Sequence, residues 1–185
     1  MRRLSVVFLT GLLAVALTAT TAMAARPHLK GRNPVSFTDN GLTLTATVSY
    51  AGLGNFDTLQ ELTATGNTVS TCTNKGENPS PGQNPAPTTT SGGTAVPASD
   101  ITNGNVTITT TTNAPVTPIP GAPGCPNPNW TETIDEIAFT SATIKLSQDQ
   151  DANGSFETLV LTVNCTFSPP TSNGPVPSSG FTCTV

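Results

Sequence analysis

The segment from Asp149 to Glu157, DQDANGSFE, carries oxygen-bearing side chains at the spacing of a calcium-binding loop. Calcium takes six to eight oxygen ligands, and such loops supply them at alternating positions before a glycine that permits a sharp bend. The sequence has this alternation, with Gly154 at the position of the bend. The candidate ligands are Asp149, Asp151, Asn153 and Glu157.

The same segment also fits a plain turn between two strands. The twelfth position of a calcium loop should be a bidentate glutamate, but here it is Val160. An earlier segment, GNFDTL from Gly54, resembles GSFETL from Gly154, and it has Ser49 and Ala51 where the later copy has its two aspartates. If both segments are hairpins, the turn forms without the acids. We therefore interpret the segment as a turn, with a weak calcium site as the alternative.

Other chemistry finds little support. The single histidine, His28, lies in a predicted loose arm where nothing orients its ring, so no hydrolase triad is predicted. Glu132, Asp135 and Glu136 form the densest acidic group, but TIDEIA reads as an exposed strand connection rather than a glycosidase cleft. We predict no catalytic residue and no cofactor apart from the possible calcium ion. Trp130 is interpreted as an aromatic anchor of the core.

The elements that position these residues are strands. From Leu42 to Tyr50, apolar residues alternate with threonine and serine, which is the period of a half-buried strand. The pattern recurs at Val106–Thr109, Ala142–Leu146, Leu159–Phe167 and Phe181–Val185. Shorter candidates are Val35–Phe37, Leu62–Ala64, Val69–Cys72 and Trp130–Phe139. About eight short strands and no helical period predict a single immunoglobulin-like antiparallel β-sandwich with long Pro/Gly-rich loops.

Two segments are predicted to be these long loops: residues 74–93 and 113–129. Proline removes a donor from the strand ladder and restricts the residue before it, so neither segment can be a central strand. A glycosylated, mucin-like stalk is the alternative interpretation of such Pro- and Thr-rich segments. Residues 25–33 are predicted to be a loose N-terminal arm, and residues 34–185 the sandwich domain.

Four cysteines imply two disulfides with three possible connectivities. We favour Cys165–Cys183, because both residues have inward parity on neighbouring strand candidates. Cys72–Cys125 then follows, with each cysteine at the edge of one long loop. The spacing does not suggest zinc or thiol-redox chemistry.

The N-terminus predicts a signal peptide. A basic start is followed by an apolar run and by Ala22-Met-Ala24, so cleavage is expected after residue 24. Removal of residues 1–24 leaves five basic residues against eleven acidic ones, a net charge of about −6, and no basic patch for nucleic acid. The mature chain is expected to be extracellular, without a membrane span.

Three segments resemble small secreted bacterial proteins of actinobacterial type: Cys72–Pro87, Gly124–Trp130 and Ile137–Leu146. Their most specific elements are PGQNP and GCPNPNW. The resemblance implies compartment and domain type rather than an activity. We therefore predict a secreted, non-enzymatic β-sandwich for extracellular surface or matrix contact, with the two long loops as the contact region. The alternative function is a calcium-dependent extracellular binding module that uses the 149–157 turn.

Overall fold

The fold is described from a computed structural model, which covers residues 26–82, 87–116, 125 and 127–185. The predicted leader lies outside the described residues. The covered chain forms strands β1 to β11 and a short 3-10 turn at Ala98–Asp100. The strands are β1 (His28–Leu29), β2 (Val35–Asp39), β3 (Leu44–Ala51), β4 (Asp57–Thr73), β5 (Pro79–Pro81), β6 (Thr88–Val96), β7 (Val106–Thr111), β8 (Thr131–Asp149), β9 (Thr158–Phe167), β10 (Gly174–Val176) and β11 (Phe181–Thr184).

The strands form two antiparallel sheets that pack on each other. In the smaller sheet, β3 pairs with β1 and β2 on one side and with β7 on the other, and β10 extends the β2 edge. In the larger sheet the order is β11, β9, β8 and β4, and both β5 and β6 pair with the outer edge of β4. The prediction of an all-β chain with two packed antiparallel sheets is confirmed.

The core lies where the alternating strands of the two sheets face each other. In β3 the inward residues Leu44, Ala46, Val48 and Tyr50 are fully buried, as their parity predicts. The outward hydroxyls of β3 meet those of β7 in direct cross-strand hydrogen bonds of 2.8–3.0 Å. These pairs are Thr45–Thr111, Thr47–Thr109 and Ser49–Thr107.

Strand β4 is far longer than the sequence suggested. The two short candidates at Leu62–Ala64 and Val69–Cys72 are parts of one 17-residue strand. Every second residue from Thr58 to Cys72 faces inward and is buried. The prediction of two strands was wrong because several of these inward positions are polar or glycine, which hides the alternation.

Strand β8 is continuous as well, although its apolar residues change parity twice. Its pairing with β4 slips by one residue at Asp135 and again at Thr140. Each extra residue is a β-bulge, which turns the following side chains to the other face. Both bulges are held by a hydroxyl, because Thr71 donates to the carboxylate of Asp135 at 2.6 Å and Thr140 donates to the carbonyl of Thr65 at 3.1 Å.

Two further expectations need correction. Residues 88–93 were predicted to be loop but belong to β6, which pairs with β4 over nine residues. The arm at residues 25–33 was predicted to be loose, but His28 and Leu29 form β1 on the edge of β3, and the amide of Lys30 donates to Ser49 at 2.8 Å.

At the β11 edge of the larger sheet, a disulfide links the last two strands and aromatic rings fix this edge to the smaller sheet. Cys165 on β9 and Cys183 on β11 are direct cross-strand partners and form a disulfide, the pairing that parity favoured. Phe37 of β2 packs edge-to-face on both Phe167 and Phe181, with ring centroids 5.0 Å apart in each pair. These contacts join the two sheets at this edge.

Candidate functional site

The 149–157 segment is the tip of the hairpin between β8 and β9. Asp149 is the last residue of β8 and is only 5% exposed, whereas Asp151, Asn153 and Glu157 are exposed. The chain bends at Gly154, whose φ of +87° favours glycine. The turn that the sequence predicted is therefore present in this place.

The carboxylate of Asp149 is occupied by the backbone of its own turn. One oxygen accepts the amide of Asn153 at 3.1 Å, and the other accepts the amide of Gly154 at 2.7 Å. Burial acts to raise the pKa of Asp149, but these N–H donors stabilise the charged form, and the net result is a pKa below the ordinary value. Asp149 thus acts as a cap that closes the turn.

The other predicted ligands are only partly brought together. The amide nitrogen of Asn153 donates to Asp151 at 3.0 Å, and the side-chain oxygen of Asn153 accepts the amide of Ser155 at 2.7 Å. Across residues 26–82, 87–116, 125 and 127–185, no group of three or more His, Cys, Asp or Glu side chains is arranged to hold a metal. The structure therefore explains these residues as a hydrogen-bonded turn, and calcium binding here stays a prediction.

The earlier segment from Gly54 is not a second copy of this hairpin. Strand β3 belongs to the smaller sheet and β4 to the larger one, so residues 52–56 carry the chain from one sheet to the other. Leu53 is buried in the core there, and its carbonyl accepts the side-chain amide of Gln148 at 2.7 Å. The interpretation of both segments as hairpins was wrong, and the comparison says nothing about whether the later turn needs a metal.

Both turns nevertheless border one cavity of about 270 Å³. Asp57 and Asp149 are cross-strand partners at its wall. Asp57 accepts the amide of Ala98 at 2.7 Å, and Asp149 is occupied as described above. Each carboxylate is thus already engaged by backbone N–H groups.

At the opposite end of β4 and β8, a disulfide ties the predicted 113–129 loop to β4, two residues before the predicted 74–93 loop. Cys72, near the end of β4, bonds Cys125, which lies in the 113–129 segment. Val69 is 54% exposed on the outer side of β4, and it borders an open cleft of about 340 Å³ with Pro79 and Pro81 of β5. This end therefore presents apolar side chains on a cross-linked framework.

Glu132 lies at the same end; the residue is partly exposed, but the burial of its carboxylate oxygens was missed. We expected an exposed strand connection, but Glu132 belongs to β8 and pairs directly with the buried Cys72. Within the described residues, both of its carboxylate oxygens are buried without a hydrogen-bond partner. No pattern in the sequence marks this burial, because it arises from the pairing of β8 with β4.

The remaining candidates have structural surroundings. His28 is exposed, and its Nδ1 lies 2.9 Å from the carbonyl oxygen of Arg26. Trp130 is only half-buried and lies outside the buried core, so its interpretation as the core anchor was wrong. Tyr50 takes that place instead: it is fully buried, and its hydroxyl donates to Gln60 at 2.7 Å.

The chain matches no protein-family model, no curated protein and no solved structure. No helix within the part of the chain that the structure describes is long and apolar enough to span a bilayer.

Proposed function

We propose that this protein is a secreted, non-enzymatic β-sandwich that makes contact with an extracellular surface or matrix. The observation that carries the proposal is the end of the molecule at Cys72–Cys125, where one disulfide ties the 113–129 segment to the end of β4, beside the exposed side chain of Val69. Two disulfides in one small chain are typical of proteins in oxidising compartments. Exposed apolar side chains on a rigid support are typical of contact surfaces.

The contact region is the loop pair at residues 74–93 and 113–129, reduced by the part of the first segment that forms β6. Val69, Pro79 and Pro81 provide an apolar surface next to it. Loops that are held by a rigid framework bind with a smaller loss of conformational entropy than free loops. The disulfide would therefore contribute to affinity as well as to stability.

The test is retention of extracellular material from the source on immobilised mature protein. Val69 and Leu159 are both 54% exposed but lie at opposite ends of the larger sheet, which makes them a matched pair. Val69→Lys is expected to abolish specific retention, and Leu159→Lys to leave it intact. Equal retention by both variants, or loss only in Leu159→Lys, would place the contact region elsewhere.

The finer assignments belong to the same proposal. We infer an immunoglobulin-like sandwich from the short antiparallel strands and repeated crossings between sheets, for example from β3 to β4 and from β6 to β7. We also infer cleavage after residue 24 and export of residues 25–185, in agreement with the resemblance to secreted bacterial proteins. N-terminal sequencing of the exported protein tests the cleavage, and a start elsewhere than Ala25 would contradict it.

A calcium-dependent binding module remains the second candidate. Asp149, Asp151 and Asn153 lie together at one hairpin tip, and Asn153 bridges to the other two by hydrogen bonds. Such a site would bind weakly, with a Kd of about 0.1–1 mM, as in other extracellular modules. Calorimetric titration of the mature protein separates it from the first candidate.

A further inference from the structure

A cleft separates the two sheets where β1 and β2 of the smaller sheet approach β11 of the larger one. On the smaller sheet, Leu29 pairs with Tyr50, which is fully buried on the inner face. Val35 pairs in the same way with the buried Val48. Direct cross-strand partners share a face, so Leu29 and Val35 also point into the space between the sheets. Leu29 is nevertheless only half-buried, because this part of the space is not filled.

The larger sheet presents inner-face side chains to the same cleft. Phe181 and Cys183 pair with Phe167 and Cys165, which are buried, but they are themselves only half-buried. Phe181 also packs edge-to-face on Phe37, so the two sheets touch at these rings. Beside this contact the sheets leave a space of about 210 Å³. Its apolar floor consists of Leu29, Val35, Phe181 and Cys183.

A cation lies beside this apolar floor. The amide of Lys30 donates to the carbonyl of Ser49 at 2.8 Å, and the amide of Ser49 donates to the carbonyl of Pro34 at 2.9 Å, so the three residues between Lys30 and Pro34 are looped out of the ladder. Gly31 permits this loop with a φ of +97°. The loop carries Arg32, which is exposed and lines the cleft. Among the described residues, the guanidinium of Arg32 has no ion-pair or hydrogen-bond partner.

The distribution of charge along the chain makes this cleft unusual for the protein. Residues 26–38 carry three basic side chains and no acidic one, whereas residues 39–185 carry two basic and eleven acidic ones. No acidic residue of the described chain lines the cleft. Ligand sites are mostly apolar, with a few polar groups that fix the orientation of the ligand. An apolar floor with one unpaired cation beside it therefore suits an anion that has an apolar tail.

We propose that the cleft binds a linear monocarboxylate, with its carboxylate on Arg32 and its apolar tail between the sheets. The planar guanidinium of arginine can bind a carboxylate through two parallel N–H···O bonds. The single cation of the cleft balances one negative charge, which favours a carboxylate over a phosphate group with nearly two. The volume is below the roughly 300–1,000 Å³ of sites for drug-sized ligands, so the tail that enters the cleft is short.

The test uses octanoate as the probe, on the mature, disulfide-bonded chain at neutral pH. Amide chemical shifts of the ¹⁵N-labelled protein give both the Kd and the place of binding. Octanoate is expected to bind with a Kd of about 0.1–1 mM and to shift the amides of residues 29–35 and 178–183. Octanamide has the same shape without the charge and should bind about tenfold more weakly. Octylammonium, which has the opposite charge, and acetate, which lacks the tail, should not bind in this range.

Two matched pairs of variants test the two ends of the ligand separately. Arg32→Gln should raise the Kd for octanoate about tenfold and leave that for octanamide unchanged, whereas Arg26→Gln removes an equal charge outside the cleft and should change neither. Ser178 is exposed and lines the cleft, so Ser178→Trp should obstruct the cleft and weaken both ligands about tenfold or more. Ser179, the next residue of the same turn, is exposed and does not line the cleft, and Ser179→Trp should keep the parent's affinities. All four changes are at exposed positions, and thermal unfolding checks that each variant retains the fold.

Several outcomes would overturn the proposal. Octanamide or octylammonium bound by the parent as tightly as octanoate would reject a carboxylate site. Acetate bound as tightly as octanoate would reject a role for the apolar floor. Equal losses of affinity in Ser178→Trp and Ser179→Trp, or shifts confined to other residues, would place the binding outside the cleft. No saturable binding of octanoate well above the expected Kd would identify the cleft as an unfilled space between the sheets.

Discussion

The buried hydrogen-bond chain from Tyr50 through Gln60 to Thr110 makes a sharp prediction about stability. Tyr50 and Thr110 belong to the smaller sheet and Gln60 to the larger one, so the chain crosses the core. Tyr50 donates to Gln60 at 2.7 Å, and Gln60 donates to Thr110 at 2.9 Å. All three side chains are at most 1% exposed. Burial also raises the pKa of Tyr50 well above the ordinary value, so it stays a neutral donor.

Tyr50→Phe removes the hydroxyl and leaves the Gln60 oxygen buried without its donor. An unmade hydrogen bond of this kind costs about 1–3 kcal/mol of unfolding free energy. Thr110→Val leaves the Gln60 nitrogen without its acceptor, and we expect a similar cost. With a urea m-value of about 2 kcal/mol/M, each midpoint should fall by about 0.5–1.5 M.

The informative change is Gln60→Met, whose effect should reverse sign with its background. In the parent it leaves the Tyr50 and Thr110 hydroxyls without their Gln60 contacts, so it should destabilise. In the Tyr50→Phe/Thr110→Val background it removes an amide that has lost both partners, so it should stabilise by about 1–3 kcal/mol. Replacement of all the partners by apolar groups of similar shape can be nearly neutral, and the triple variant should therefore approach the parent.

Urea unfolding followed by far-UV circular dichroism measures all of these variants, with the disulfides left intact. The test is the sign of the change in unfolding free energy that Gln60→Met causes in each background, because this sign does not depend on the absolute stability of the protein. If Gln60→Met destabilised both backgrounds equally, the three side chains would be acting independently. The hydrogen-bond chain would then not be the unit that joins the sheets.

Three other outcomes follow from the structure. Replacement of both cysteines of a disulfide by alanine should lower the free energy of unfolding by about 3 kcal/mol for Cys165–Cys183 and by about 4 kcal/mol for Cys72–Cys125, because the paired cysteines are 18 and 53 residues apart. Thermal unfolding should therefore show the larger loss of stability for the Cys72–Cys125 pair. Because the folded pKa of Asp149 is lowered, its stabilising effect is present above the unfolded pKa and is lost as pH falls through the folded one. The parent should therefore lose Tm more steeply in acid than Asp149→Asn, and equal slopes would contradict the lowered pKa. In calorimetric titration, Asp149→Asn should abolish any calcium heat that the 149–157 turn produces, and an unchanged heat in that variant would exclude the turn as the calcium site.

The strands that the sequence identified best are those with uninterrupted alternation. In β3 and β7, aliphatic residues face the core and hydroxyls face outward at almost every position, so the period of two was sufficient. The favoured disulfides are the ones the structure contains, because parity placed Cys165 and Cys183 on the same face. These local patterns determined both the fold class and the cross-links.

The predictions from the sequence were wrong where tertiary packing, rather than the local residue pattern, determines the structure. The segment TTTSGG at residues 88–93 reads as the end of a loop, yet it belongs to β6, which pairs with β4. Gly92 permits the close approach of the other sheet there, since an added Cβ would lie 2.1 Å from the carbonyl oxygen of Thr111. Leu159 was assigned inward, but the pairing of β8 with β9 slips at Val160, and Leu159 is 54% exposed. A bulge turns all the side chains beyond it to the opposite face of the sheet, and the sequence around Val160 contains no pattern that predicts this bulge.

The candidate sites show the same division between local and distant causes. The turn at Asp149 could be predicted, because the residues that close it lie within five positions of one another. Glu132 could not, because its surroundings come from β4, about 60 residues earlier in the chain. A sequence pattern reports the ligands that a loop brings together, and it does not report which carboxylate the fold leaves without donors.

The acidic side chains at the two ends of the β4–β8 pair therefore differ in whether backbone N–H groups can reach their carboxylates. Asp149 ends its strand at a tight turn, where successive backbone N–H groups converge on the carboxylate and compensate its charge. Glu132 lies within a strand, where the backbone N–H groups are directed along the sheet to neighbouring strands and cannot reach a side chain that points into the core. The acid with the calcium-like sequence is thus already compensated, and the acid without a motif is the one whose carboxylate has no hydrogen-bond donor among the described residues.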